Sequence, residues 1–231
     1  MDLSVVIPVY NEQDCIANTI TTVQHYLTQQ HISYEIIVVN DCSTDKTRSI
    51  VSSLKNITVL HNKKNKGKGY SVKKGILHAQ GKYILFSDAD LSTPISELKT
   101  FMELITTYDI VIASRALKEA QVKTRWFKKL FGRVSWLAIH LLAVKNIKDT
   151  QCGFKLFKKS VAHHICSLQT IERWGFDFEL LFIAQKYKYT IKEQPVTWIE
   201  NTDSKVRLRD YPKTLLELLS IRIKDIQGRY K

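Results

Sequence analysis

Apolar runs and helical patterns alternate through the first half of the chain. Short runs rich in valine, isoleucine and leucine predict five strands, at Leu3–Pro8, Glu35–Asn40, Ile57–His61, Tyr83–Ser87 and Ile110–Ser114. Apolar residues with a period near 3.6 predict helices between them, at about Cys15–Gln29, Asp45–Leu54, Gly69–Gln80 and Ile95–Thr107. Strands this apolar, separated by helices, indicate an α/β fold with a mostly parallel sheet and helices on both faces.

The second half has a different pattern and is predicted to extend the same domain, so that one domain spans residues 1–231. A basic and apolar stretch, Lys123–Lys148, comes first. A turn leading into a short strand, a helix, a strand and a final helix follow, at Asp149–Phe157, Phe178–Lys186, Thr190–Trp198 and Tyr211–Gln227. The longest uncharged apolar run here, Val134–Val144, is shorter than the ~20 residues that a membrane span needs, and the N-terminus has no signal-peptide pattern.

The excess of positive charge predicts an anionic partner. The 231 residues include 35 Lys and Arg against 22 Asp and Glu, which gives a formal net charge of +13. Such an excess favours binding to nucleic acid, anionic lipid or a phosphorylated substrate. The four cysteines, Cys15, Cys42, Cys152 and Cys166, include no C-x-x-C pair. A zinc site therefore has no support, and we expect reduced, inert thiols.

Acidic residues follow two of the predicted strands. Asp88 and Asp90 come directly after Tyr83–Ser87, and Asp41 comes after Glu35–Asn40. Ligands bind beyond the carboxyl ends of parallel strands, and two carboxylates spaced by one residue can converge on Mg²⁺ or Mn²⁺, which take oxygen ligands. The simpler alternative is that one of the pair caps the next helix. Asp41 is placed to contact a nucleotide base or ribose.

Three other motifs indicate less specific chemistry. Ser43-Thr44-Asp45 opens a predicted helix, and we expect Asp45 to cap it. Gly67-Lys68-Gly69 is not a dinucleotide fingerprint, whose third glycine would fall at Val72, and it is not a P-loop. No local motif supports a Ser-His-Asp or Cys-His arrangement, so the seven histidines are expected in structural or surface roles.

Five stretches of the first half carry a resemblance to a known family: Pro8–Glu12, Asn40–Asp45, Gly67–Gly69, Asp88–Ser92 and Ser114–Arg115. Taken in order, they resemble glycosyltransferase family 2, whose members have the GT-A fold. The stretches of the second half, Asp149–Lys155, Phe176–Leu181 and Ser204–Lys205, resemble the dolichyl-phosphate glucosyl- and mannosyltransferase branch, with the glucosyltransferases as the closer match. The resemblance covers nearly the whole chain. It implies a Rossmann-like GT-A domain in which residues 1–115 bind a nucleotide-sugar and residues 116–231 bind the acceptor and contact a membrane.

The resemblance also implies roles for individual residues. The nucleotide-sugar would contact Pro8, Tyr10, Glu12, Val39, Asp41, Asp88 and Ala89. Asp88 and Asp90 would hold Mg²⁺ or Mn²⁺. Related mannosyltransferases have a glutamine in place of Ser92, which leaves Ser92 open as a third metal ligand, and Asn40 replaces an aspartate often found there. Many relatives carry membrane-spanning segments, which we do not expect in this chain.

The implied reaction is transfer of a sugar, with UDP-glucose as the favoured donor, to dolichyl or undecaprenyl phosphate with inversion. A phosphate monoester is already anionic at pH 7, since its second pKa is about 6, so it needs no general base. The protein must instead offset repulsion between the lipid phosphate and the donor diphosphate. Arg115, Lys128 and Lys205 are the candidate cations beside the metal ligand Asp90, although a solvated surface role is the alternative for each lysine.

The stretch Lys123–Lys148 predicts attachment to an anionic membrane surface. It holds seven basic residues and no acidic one. Aromatic and aliphatic residues recur at helical spacing on one side, with Arg125, Lys129 and Arg133 on another, as in helices that lie in a membrane interface. A helix that packs on the core with a solvated basic face is the alternative. We expect a cytoplasmic protein that lies peripherally on the inner face of the membrane.

Three other functions are compatible with parts of the sequence. The same fold could act on a polysaccharide or another non-lipid acceptor, although the basic stretch and Ser204-Lys205 argue against it. Net charge alone would permit a nucleic-acid-binding protein, but no such motif is present and nucleic acid would not explain Asp88 and Asp90, so we expect no nucleic-acid partner. An inactive GT-A scaffold would be indicated by loss of Asp90 or Arg115, and both are present.

Overall fold

Strands from both halves of the chain form one central sheet in the computed structural model, which describes residues 1–123, 144–199 and 211–231. The strands are β1 Leu3–Val9, β2 Tyr34–Asn40, β3 Thr58–His61, β4 Tyr83–Ser87, β5 Ile110–Ser114, β6 Gln121–Lys123, β7 Phe154–Lys158, β8 Ile191–Pro195 and β9 Thr197–Ile199. The helices are α1 Ile16–Gln29, α2 Thr47–Ser53, α3 Lys68–His78, α4 Leu98–Leu104, α5 Lys159–Leu168, α6 Phe176–Lys186 and α7 Tyr211–Ile226. A short 3₁₀ turn, Ile95–Glu97, leads into α4.

The sheet is parallel except for one inserted strand. Its order is β3-β2-β1-β4-β7-β5-β8, and β7 runs antiparallel to both β4 and β5. The other neighbours pair in parallel. The carboxyl ends of β1, β2, β4 and β5 therefore reach the same edge of the sheet. A separate parallel pair, β6 with β9, lies outside it.

Both faces of the sheet are buried, which explains why the strands are almost continuously apolar. In β1, Leu3, Val5 and Ile7 belong to the core under α1 and α4, while Val6 belongs to the core under α3, α5 and α6. The close packing of α3 on β1 depends on Gly75, since a β-carbon there would lie 2.4 Å from Cγ1 of Val6.

The structure confirms the α/β fold with a mostly parallel sheet. The five predicted strands of the first half are present within one residue at each end. The segment predicted as one strand over Thr190–Trp198 divides at Val196 into β8 and β9, because Pro195 has no N–H to continue a ladder. Helix α5 and strand β6 were not predicted. The predicted helix Ile95–Thr107 begins as the 3₁₀ turn and ends earlier, at Leu104.

Two predicted features lie outside the described residues: most of the basic stretch, including Lys128, and the motif Ser204-Lys205. Within the parts of the chain that the structure describes, no helix is both long and apolar enough to cross a membrane. The four cysteines are free thiols, and Cys152 and Cys166 are buried. Burial raises the pKa of Cys152 to about 11, so that this thiol is protonated at neutral pH.

Candidate active site

Each of the three strands β1, β2 and β4 is followed at the common edge by a residue with an unusual backbone conformation. The chain beyond β1, β2 and β4 passes through Asn11, Cys42 and Leu91, whose φ angles are 55°, 59° and 47°. Residues other than glycine rarely adopt a positive φ, and those that do cluster at functional sites. The loops after β1 and β2 are joined, since the Asn11 backbone N–H donates to Oγ of Ser43 at 3.0 Å. This edge is therefore a fixed platform of loops.

Asp88 and Asp90 follow β4 on this platform, as predicted, and each already has partners. Oδ1 of Asp88 lies 2.6 Å from Nζ of Lys68, at the start of α3. The two oxygens of Asp90 accept hydrogen bonds from the backbone N–H and the hydroxyl of Ser92, at 3.0 and 2.9 Å. Asp90 thus shapes the turn after β4 and does not cap a helix. Ser92 is buried with its hydroxyl directed at Asp90.

The donor chemistry of this pair fits a divalent cation shared with a phosphorylated ligand. Mg²⁺ and Mn²⁺ take carboxylate oxygens, and Mg²⁺ is usually bound by one or two carboxylates together with substrate phosphates. Across residues 1–123, 144–199 and 211–231, no group of three or more His, Cys, Asp or Glu side chains is placed to bind a metal ion by itself. Asp88 and Asp90 would hold the ion, with the remaining ligands supplied by phosphate oxygens and water.

A second ionic layer lies under the aspartates and was not predicted. Lys155 of β7 is fully buried; its ammonium donates to Asp177 of α6 and, at 2.7 Å, to the carbonyl of Cys152. Burial raises the pKa of Asp177, against the opposing effect of Lys155. Burial acts to lower the pKa of Lys68, but the carboxylates of Asp88, Asp177 and Asp90 together outweigh burial and hold that pKa above its ordinary value. In the sequence, this layer is indicated only by Lys155 and Asp177, each of which is a charged residue within an apolar segment.

Arg115, at the end of β5, forms a bidentate ion pair with Asp149. Its Nε and NH2 donate to Asp149 at 2.7 and 2.9 Å, and its backbone N–H donates to the same carboxylate at 2.9 Å. The guanidinium lies 5.4 Å from the ring centroid of Trp198. Burial would raise the pKa of Asp149, but Arg115 outweighs burial and holds it below its ordinary value. The predicted cation Arg115 is therefore fixed in place at the same edge as Asp88.

The residues predicted to hold a nucleoside lie at the ends of β1 and β2. Pro8 and Val39 are buried partners across the two strands, and Tyr10 is exposed beyond them. The backbone N–H of Glu12 donates to Oγ1 of Thr47 at 2.7 Å, which joins the end of β1 to α2. Ala89 is buried, and its carbonyl accepts a hydrogen bond from the hydroxyl of Thr19 on α1.

Asp41 has a structural function in addition to any contact with a ligand. Its buried carboxylate accepts hydrogen bonds from the Asn62 side chain and from the backbone N–H groups of Lys66 and Gly67, at 2.8, 2.8 and 2.7 Å. The loop that leads into α3 is thus fixed to the end of β2. Asp45 accepts a hydrogen bond from the backbone N–H of Thr47, the first residue of α2, at 2.9 Å, but the N-cap residue of that helix is Lys46 and not Asp45 as predicted.

Sequence comparisons with known proteins find glycosyltransferases. A model of glycosyl transferase family 2 matches residues 4–166. The dolichyl-phosphate beta-glucosyltransferase ALG5C of Trichomonas vaginalis is 38% identical, over 94% of this chain and 70% of that protein. Human dolichyl-phosphate beta-glucosyltransferase is 33% identical, over 99% of this chain and 77% of that protein.

Solved structures share the fold at low sequence identity. Glucosyl-3-phosphoglycerate synthase from Mycobacterium tuberculosis, in complex with Mn²⁺, UDP-glucose and phosphoglyceric acid, superposes with a TM-score of 0.74 at 15% identity and covers 99% of this chain and 79% of that one. Mannosyl-3-phosphoglycerate synthase from Rubrobacter xylanophilus has a TM-score of 0.70 at 18% identity, over 99% of this chain and 75% of that one. The fold is GT-A.

Proposed function

This chain belongs to glycosyl transferase family 2, and we propose that it transfers glucose from UDP-glucose to the phosphate of a polyprenyl lipid, with inversion at the anomeric carbon. One observation carries the proposal: the carboxylates Asp88 and Asp90 and the fixed guanidinium of Arg115 lie at the same edge of a GT-A sheet. That edge offers a metal-binding carboxylate pair and a cation, which are the groups needed to join two phosphorylated molecules. The names of the relatives support glucose as the sugar and dolichyl phosphate as the acceptor.

The acceptor determines what the protein has to supply. A phosphate monoester has a second pKa of about 6, so at neutral pH it is mainly a dianion and is already a nucleophile. The enzyme needs no carboxylate base. Its task is to bring two anions together, and Arg115 offsets the negative charge that accumulates as they approach. Lys128 and Lys205 are proposed to supply further positive charge beside the acceptor phosphate.

Asp88 and Asp90 would hold Mg²⁺ or Mn²⁺ against the donor diphosphate. A bound divalent ion supplies electrostatic stabilisation of the departing nucleoside diphosphate. On the protein side, Asp149 keeps the guanidinium of Arg115 oriented, so that little reorganisation is needed when the acceptor binds. The nucleoside is proposed to bind beside Pro8, Tyr10, Glu12, Val39 and Asp41, and Ala89 to contact the donor beside Asp88.

The protein is proposed to lie on the anionic cytoplasmic face of a membrane, where its acceptor resides. The net charge of +13 favours such a surface. Helix α7 adds an apolar row on the side opposite to its buried residues Leu218 and Ile221. The row consists of Leu216, Leu219, Ile223 and Ile226, which are 42–87% exposed. An apolar row on a basic protein suits the boundary between lipid headgroups and acyl chains.

The proposal is tested by following labelled glucose into lipid. Purified protein is incubated with radiolabelled UDP-glucose and either dolichyl phosphate, undecaprenyl phosphate or unphosphorylated dolichol, and the organic phase is counted. We expect label with the phosphorylated lipids and none with dolichol. Label that enters only a water-soluble glycan, or no lipid label with either phosphate, overturns the proposal. An Asp90→Asn variant, tested in parallel, controls for contaminating activity.

A further inference from the structure

The ammonium of Lys68 lies where a metal ion would have to compete with it. Nζ is 2.6 Å from Oδ1 of Asp88, and the side chains of Lys68 and Asp88 are 20% and 33% exposed. The same ammonium lies 5.4 Å from the ring centroid of Phe86 and 5.7 Å from that of Trp174. It is thus held in a half-buried position, directly against one of the two proposed metal ligands.

The backbone that carries Lys68 is closely packed on both sides. The preceding Gly67 has φ of 106° and donates its N–H to Asp41. A β-carbon on Gly67 would lie 2.5 Å from the carbonyl oxygen of Glu172, and one on Gly69 would lie 2.6 Å from Cβ of Phe176. The start of α3 is therefore tightly packed on both sides of Lys68. The side chain of Lys68 is the flexible part, and its four methylene groups allow the ammonium to reach another partner.

The neighbouring cations are not available to replace it. Lys155 is fully buried and bound to Asp177 and to the carbonyl of Cys152. Arg115 is held by two hydrogen bonds from its guanidinium to Asp149. In the described residues, Lys68 is the cation that forms an ion pair with Asp88, and the more distant Arg115 also interacts with it electrostatically. A divalent ion at Asp88 would repel that ammonium, and the diphosphate that arrives with the ion offers it new acceptor oxygens nearby.

We infer that Lys68 is a positioning residue with two partners: it holds Asp88 when no donor is bound, and it moves to the donor diphosphate when the metal and the nucleotide bind. This inference rests on the proposed function. A lysine suits such an exchange because its ammonium is a compact charge on a flexible stem. The contact with Asp88 would keep two adjacent aspartates from repelling each other, and its release would couple metal binding to donor binding.

The exchange predicts effects of opposite sign on metal affinity. In Lys68→Met, Mn²⁺ no longer displaces an ammonium, so without nucleotide it should bind more tightly than in the wild type, by about tenfold. With saturating UDP, the variant lacks a charge-assisted contact to the diphosphate, so Mn²⁺ and UDP together should bind about tenfold more weakly. A residue that merely supported the fold would weaken both.

The experiment is a titration of the full chain with Mn²⁺, with free ion measured by electron paramagnetic resonance, in the presence and absence of UDP. Lys68→Arg should bind Mn²⁺ with UDP as the wild type does, because it keeps the charge. Lys66→Met is the matched control: Lys66 pairs with Glu172 at 3.6 Å, and neither affinity should change. Lys68→Gln repeats the test should Lys68→Met not fold.

The outcomes separate this inference from the proposed function. Opposite shifts in Lys68→Met, restored by Lys68→Arg, support the exchange. If both affinities stay within about twofold of wild type, or both fall, the exchange is overturned while the proposed function stands. If the wild type with UDP binds no Mn²⁺, the metal-dependent reaction fails, and the inference about Lys68 fails with it.

Discussion

The carboxylate of Asp88 lies directly against the backbone of Gly153, where a β-carbon would be 1.9 Å from Oδ2 and 2.2 Å from Cγ. The backbone N–H of Asp88 also donates to the carbonyl of Gly153 at 3.0 Å. Gly153 immediately precedes β7, the antiparallel strand inserted between β4 and β5. The second half of the chain therefore fixes the position of a candidate metal ligand that the first half supplies.

Replacing Gly153 should damage the site more than the fold. In Gly153→Ala the new methyl group displaces the Asp88 carboxylate, and a displacement of about 1 Å can lower turnover by about 100-fold. Gly75→Ala is the matched control, because its β-carbon is crowded by Val6 in the core. It should lower the unfolding free energy by about 1–3 kcal/mol with little effect on turnover per folded molecule. Equal turnover in both variants would contradict the special position of Gly153.

Turnover should require Mg²⁺ or Mn²⁺ and disappear in excess chelator. Asp90→Ala removes both a proposed ligand and the acceptor for Ser92, whereas Asp90→Asn keeps an oxygen that Ser92 can bind. Both variants should lose turnover by at least about 100-fold, and Asp90→Asn should unfold at nearly the wild-type temperature. Dialysed wild-type protein that works at full rate in EDTA would disprove metal dependence.

The pair of Arg115 and Asp149 should stabilise the fold in a pH-dependent way. Because the folded pKa of Asp149 is depressed below 3.8, the stabilisation is complete above that pH and is lost as the pH falls through the folded value. Asp149→Asn should lower the unfolding free energy by about 3 kcal/mol at pH 7. Its difference from wild type in urea unfolding should shrink in acid.

An exposed pair provides the control for that measurement. Lys66 and Glu172 lie 3.6 Å apart with side chains 34% and 49% exposed, so Glu172→Gln should change stability by less than about 1 kcal/mol. If the effect of Asp149→Asn is equally small, or is the same at pH 7 and in acid, then Arg115 is not fixed by this pair.

Binding to anionic liposomes should be measurable by flotation and should weaken as salt is added. Exposed charges are screened beyond about 8 Å at physiological ionic strength. Lys128→Glu combined with Lys129→Glu should reduce flotation, and Leu216→Ser combined with Ile226→Ser should reduce it through loss of apolar contact. Leu77→Ser changes an exposed leucine on α3 and should have no effect. Absence of flotation by the wild type at low salt would disprove attachment.

The sequence predicted the parts of the fold that local patterns determine. Strands β1, β2 and β4 are continuous apolar segments because both faces of the sheet are covered. Asp41 after β2, and Asp88 and Asp90 after β4, could be placed at the carboxyl edge from the strand pattern alone. Strand β7 was predicted as a short strand, but its antiparallel insertion between β4 and β5 was not, because register is set by contacts across the sheet. The division of Thr190–Trp198 at Val196 was not predicted, because beyond Pro195 the chain pairs with β6 in a second sheet, and that pairing depends on contacts far apart in the chain.

The ionic contacts of the site could not be predicted, because they join residues far apart in the chain. Asp149 lies 34 residues from Arg115, and Asp177 lies 22 residues from Lys155. A lysine within an apolar strand suggests a buried partner without identifying it. Asp41 was assigned to the nucleoside from its position after a strand and by resemblance, and its hydrogen bonds to the backbone of Lys66 and Gly67 became visible only in the structure. The roles of Lys128 and Lys205 remain predictions.

The most direct test of inverting transfer to a lipid phosphate is ¹H and ³¹P NMR of the purified lipid product. UDP-glucose is α-linked, so a single displacement by the lipid phosphate predicts glucose joined to that phosphorus with a β anomeric configuration. The anomeric proton should be coupled to ³¹P and should show the large vicinal coupling of a β-glucoside. An α-linked product, or glucose attached to any atom other than an oxygen of the lipid phosphate, would contradict the proposed reaction.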